Sequence, residues 1–164
     1  MVDSEEWIDP IFDAVFSDVQ RSGYFDRIND WEPKRAPGRG LTAAIWVQSM
    51  LPIAGISGLA ATGCRVVFQL RAYKNIATQL KPGTPALGDS IDINMLKAMS
   101  NLARRYHGDF DFEGLIRNVD LLGHWGIALS VTAGYLEQDK AWFRTMDMLI
   151  PCIVNDVWPQ VTQP

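Results

Sequence analysis

The stretch "CRVVFQLRAY", residues 64–73, alternates with a period of two. Cys64, Val66, Phe68, Leu70 and Ala72 fall on one side, and Arg65, Val67, Gln69, Arg71 and Tyr73 on the other. An extended chain points successive side chains to opposite faces. The pattern therefore predicts an antiparallel strand that buries one face and half-exposes the other. Residues 41–50 read the same way, with Ala43, Ile45 and Val47 opposite Thr42, Trp46 and Gln48, and Pro52, Gly55 and Gly58 mark the turn between the two strands. A shorter strand is expected over residues 24–29. Downstream, three more are expected over 110–122, 127–137 and 142–154, the last two joined by the short turn "EQDK". The closing "NDVWPQVTQP" is too rich in proline and polar residues to be expected to carry the sheet far.

Two segments switch to the helical period. Ile8, Ile11, Phe12, Val15, Phe16 and Val19 make one apolar face. Asp9 fits the N-cap, Pro10 the first helical position and Gly23 the stop, which predicts a helix over residues 9–22. A second helix is expected to start at Asp92 as N-cap and end near Gly108. Met95, Leu96, Met99, Leu102, Ala103 and Tyr106 form its stripe, and Lys97, Arg104 and Arg105 lie toward its C-terminus, where the dipole favours positive charge. The order is α-β-β-β-α-β-β-β. Strands in runs rather than alternating with helices point to an α+β fold, a mostly antiparallel sheet with both helices packed on one face. The 164 residues are expected to form a single domain, 1–164, with no internal repeat.

Composition narrows the function. A net charge of −4 argues against a protein whose main work is coating nucleic acid. The acidic start lacks the apolar core of a secretory signal. Residues 50–70, apolar at first sight, are broken by Arg65, Gln69, glycines and a proline, so a protein soluble in the cytoplasm when made, without membrane contact, is expected. Cys64 and Cys152 lie far apart in apolar settings and are expected to be buried free thiols.

Patterns that carry chemistry fall short. The segment "WEPKRAPGRG", residues 31–40, has the glycines and positive charge of a phosphate loop. In a phosphate loop, however, the lysine follows the glycines and a helix comes next; here Lys34 precedes Gly38 and Gly40, and a strand follows. The expected role is a stiffened connector whose Lys34, Arg35 and Arg39 touch a neighbouring subunit, an acidic partner or a nucleic-acid backbone. His107 is expected to cap a helix end and His124 to decorate a turn, neither at metal-ligand spacing from another ligand. Asp109, Asp111 and Glu113 would share one side of a strand, as a two-metal nuclease needs. The same pattern arises if Phe110 and Phe112 face the core and the acids face water, which is the weightier reading. No catalytic residue, metal or cofactor is expected, and the chain is read as a non-enzyme.

Four stretches carry a resemblance: "DPIFDAVFSDVQRSGYFDRINDWEPKRAPGRGLTAAIWVQ", "SGLAATGCRVVFQLRAYKN", "GDFDFEGLIRNVDLLG" and "AGYLEQDKAWFRTMDMLIPCIVNDVW". They cover most of the chain and resemble the tail terminator proteins of long-tailed, siphovirus-type phages of actinobacteria, with the lambda-type terminator fold. The resemblance implies a structural virion protein at the neck or top of the tail. Such a protein forms a hexameric ring that caps the tail tube, stops its polymerisation and joins it to the head connector or stopper. Its partners would be other copies of itself, the major tail tube protein and the connector, and genomic DNA would pass through the channel without specific binding. The family brings no catalytic residues. Residues 81–92, longer and richer in proline than the family leads one to expect, depart from the pattern. The alternatives are another neck component, such as a head-completion or stopper protein, and, further off, a metal-dependent nuclease. Loops 31–40 and 80–90 are expected to reach neighbours in the assembly.

Overall fold

A computed structural model describes residues 7–35, 40–58, 60–76, 88–107 and 110–159. The elements run α1 (Ile8–Arg21), β1 (Arg27–Asn29), β2 (Leu41–Pro52), a short 3-10 turn (Ala54–Ile56), β3 (Ala61–Asn75), α2 (Gly88–Arg105), β4 (Asn118–Val119), β5 (Ser130–Gln138) and β6 (Ala141–Pro159). The architecture is α+β, with two helices and a six-stranded, mostly antiparallel sheet in the expected element order.

The alternation over 64–73 sets the sheet. β3 is central, antiparallel to β2 on one side and to β6 on the other, and the strand order is β1-β2-β3-β6-β4, with β5 also on β6. Among the described residues only the β1–β2 pair is parallel, matching Arg27 with Thr42 through Asn29 with Ala44. Cys64, Val66, Phe68, Leu70 and Ala72 are all buried in one core with Met146, Met148, Ile150 and Cys152 of β6. Ile11, Val15 and Val19 of α1 join the same core, as do Ile91, Met95, Met99 and Leu102 of α2, so both helices cover this one face. Each large side chain so buried contributes roughly 1.5–3 kcal/mol.

The boundaries depart from the sequence reading in four places. The N-cap of α1 is Trp7, two residues earlier than the expected Asp9, while Gly23 does end the turn after the helix, at a φ of 72° that suits glycine. α2 begins at Gly88, so Asp92 lies inside the helix. It is not a cap; its carboxylate holds Arg144 of β6. Leu96 is exposed, and Ile91 and Ala98 take its place in the buried stripe. Residues 110–122 are not a strand: Phe112, Glu113 and Gly114 all take positive φ, and only Asn118–Val119 pair with β6. Finally, β6 continues to Pro159, because Thr62 and Ala61 of β3 extend far enough to pair with Trp158 and Pro159.

The turn between the last two strands and the state of the cysteines are as expected. Asp139 and Lys140, both at positive φ, make a two-residue turn between β5 and β6, the conformation that matches strand twist. Both cysteines are buried and free, and burial pushes both thiols above the usual range. Among the described residues no helix is long and apolar enough to cross a membrane.

Candidate assembly surface

The face of the sheet away from the helices is built from the odd positions of β3. Arg71 donates two hydrogen bonds to Asp147 of β6, at 2.5 and 2.9 Å, and lies 5.5 Å from the ring centre of Trp46. The bond to Asp147 raises the guanidinium pKa further, so this charge is fixed at every accessible pH. Beside it Tyr73, Ala44 and Phe143 form a second, smaller buried cluster. Burial pushes the Tyr73 hydroxyl up to about 12.

The connector between β1 and β2 lies across this face. Glu32 forms an ion pair with Arg71 at 3.7 Å, and the Pro33 carbonyl accepts a hydrogen bond from Gln138 at the far end of β5. The connector is therefore strapped at its start to two strands, β3 and β5. Its cations stay outside the strap: Lys34 and Arg35 are exposed, and Arg39 lies outside the described residues. Gly40 re-enters the sheet against Asp26, whose carboxylate accepts the Leu41 N–H at 2.8 Å. No helix follows it, so it lacks the row of helical N–H groups that a phosphate loop presents.

A second organising point went unread in the sequence. Asp120 is 3% exposed, and its carboxylate accepts the backbone N–H groups of His124, at 2.9 Å, and Trp125, at 2.7 Å. The Trp125 carbonyl in turn accepts from Arg65, and its ring carries Arg117 at 5.5 Å. A Cβ on Gly55 would sit 2.6 Å from the Trp125 ring, so the tip of the β2–β3 hairpin rests directly on this loop. The signal available was an Asp four residues before "HWG", but its partners are backbone groups that only the fold brings together. His124 packs edge-on against Trp125, as a turn residue, and His107 follows the end of α2, its N–H donating to the Arg104 carbonyl.

Between α1 and the turn at 110–115 lies an open cleft of about 520 Å3, where Asp13, Asp18 and Arg21 face Phe110, Asp111 and Glu113. Asp111 and Glu113 are exposed on a turn and share no strand face, and Asp109 lies outside the described residues. Phe112 is buried and meets Phe110 edge-on, with Tyr106 against both, so the phenylalanines serve the core. Asp18 is engaged by Arg105 of α2. Among the described residues no three His, Cys, Asp or Glu side chains are placed to hold a metal ion.

What the molecule offers outward is apolar surface. From Val47 to Pro52 every residue of β2 is exposed, while the β3 residues paired with them, Phe68 to Cys64, are largely buried. Val47, Met50 and Leu51 are 42%, 44% and 51% exposed, and Leu122, Tyr135 and Trp142 stand out elsewhere. The sequence matches no family model and no curated protein.

Proposed function

We propose that this chain is a structural subunit of a phage tail: a terminator that assembles as a hexameric ring on the end of the tail tube, stops its growth and joins it to the head connector. The observation that carries the reading is the distal half of β2. A continuous strand of exposed, uncharged residues, Val47 to Pro52, stands beside a fully buried core. Such surface is costly to leave in water and is characteristic of a subunit that is covered on assembly. The resemblance of the four quoted stretches to tail terminators names which assembly. In a ring, six copies at −4 each carry −24, which suits a channel through which DNA slides without being held. Lys34 and Arg35, exposed on their strap, are then contacts to an adjoining protein rather than to DNA.

The test is tube growth in vitro. Tail tube protein from the same phage is polymerised with and without the purified chain, and tube length and end occupancy are read by electron microscopy. Short tubes with a ring at one end are expected. Tubes that elongate unchecked with bare ends would overturn the reading, as would strong, salt-sensitive DNA binding by the purified protein.

A further inference from the structure

The sheet has two open edges, and they are on opposite sides. β1 covers β2 only at Thr42, Ala43 and Ala44, so beyond Ala44 the outer edge of β2 has no strand partner among the described residues. β5 pairs with β6 along Ser130–Gln138, and its other edge likewise has none. The two free lengths are similar, 45–52 and 130–138. Isolated edge strands are normally guarded by charge, above all lysine. Here residues 41–64 contain no charged residue at all, and β5 carries only Glu137. A bulge at Gln48 returns Met50 to the face that Val47 occupies, and Tyr135 stands exposed on that same face of β5.

We infer that a second copy of this chain lays the outer edge of its β5 against the open edge of β2, so that the sheet runs on from copy to copy. This rests on the assembly reading above and adds which surfaces meet. The strand sense agrees: β2 runs parallel to β6 through β3, and β5 is antiparallel to β6, so the new pair is antiparallel. The offset agrees as well. The middle of the open β2 edge, Ser49, lies level with Pro151 of β6 through Val67, whereas the middle of β5, Gly134, lies level with Thr145. Those levels differ by ~20 Å along the strands, against ~19 Å for the four strand spacings from the β2 of one copy to the β2 of the next. The line from copy to copy thus crosses the strands at ~45°, the upper end of the 35–45° tilt at which sheets close into barrels. The contact joins two different edges and is head-to-tail, the kind that generates rings.

Two variants of the full chain that each add one cysteine, Ser49→Cys and Thr132→Cys, test it. Both positions are exposed and on the same face, while native Cys64 and Cys152 are buried and do not compete. With a short bis-maleimide at high protein concentration, the equal mixture is expected to give covalent dimers and each variant alone none. Met50→Lys, at an exposed position that folding tolerates, is expected to move association to about tenfold higher concentration or beyond. Cross-linking of Ser49→Cys with itself, no cross-link in the mixture, or association indifferent to Met50→Lys would each overturn the inference. Edge-to-edge association by a protein that fails to cap tubes would remove the tail reading and leave this one. Capped tubes unaffected by Met50→Lys would do the reverse.

Discussion

Replacing Asp120 by alanine should destabilise the protein far more than its place in a loop suggests. The side chain is 3% exposed and spends both carboxylate oxygens on backbone N–H groups, at 2.9 and 2.7 Å. Hydrogen bonds to a charged acceptor are worth roughly 1.5–3 kcal/mol each. His124 is exposed, so its freed N–H recovers water; Trp125 is half-buried and recovers less. The net expected loss is therefore about 2–4 kcal/mol for Asp120→Ala. Asp120→Asn keeps one acceptor oxygen and should lose about half of that. Urea titration followed by tryptophan fluorescence and by far-ultraviolet circular dichroism measures the loss. Hydrogen exchange should show the His124 and Trp125 amides losing protection before the rest of the sheet. A loss under about 0.5 kcal/mol for Asp120→Ala, the range of an ordinary surface change, would refute the argument that this carboxylate organises the loop under the hairpin.

Gly63→Ala should also destabilise, because its Cβ would sit 2.3 Å from the Ile56 side chain and 3.1 Å from the Val154 carbonyl oxygen; thermal melting measures it, and an unchanged midpoint would count against the packing of the hairpin tip. Glu113→Gly should stabilise by about 1 kcal/mol, since a non-glycine residue at a φ of 61° carries a steric penalty that glycine lacks, and urea midpoints with and without the change decide it. Alkaline pH should weaken the fold. Tyr73 titrates at about 12 when folded and near 10 when unfolded, so between those values the unfolded chain binds fewer protons, and stability falls as pH rises. Tyr73→Phe should flatten that fall, as read from urea midpoints at pH 9 and above; an equally steep fall in the variant would assign the loss to other groups.

The parts of the fold that could be read from sequence are those where one face is buried and the other is not. β3 is legible because Cys64 to Ala72 face a core of helices while Arg65 and Arg71 face partners on the open side. The segment 110–122 shows the same surface pattern for a different reason. Phe110 and Phe112 both reach Tyr106, but the chain brings them there by turning through positive φ at Phe112, Glu113 and Gly114, not by alternating along a strand. Two aromatics at a spacing of two cannot distinguish these cases. The start of α2 fails through a long-range contact. Asp92 is a good N-cap by local chemistry, yet Arg144, distant in sequence and brought close by β6, takes both of its oxygens, and the helix starts a turn earlier.

The candidate surface was legible in a different measure. The sequence shows that 31–40 is a basic connector rather than a phosphate site, and Lys34 and Arg35 do stand exposed. It does not show that the same segment is strapped across the sheet by Glu32 on Arg71 and Pro33 on Gln138. The strap reaches the helix-free face at Arg71 and ties the connector after β1 to the far end of β5. Among the described residues the outer edge of β2 past Ala44 has no strand partner, and Val47, Met50 and Leu51 lie exposed there in a run with no charge. In β2 the alternation of Ala43, Ile45 and Val47 looks uniform, and only burial separates its two halves: Ala43 and Ile45 lie in the core that both helices share, and Val47 does not. The first half of the strand is buried in the fold, and the second half is exposed.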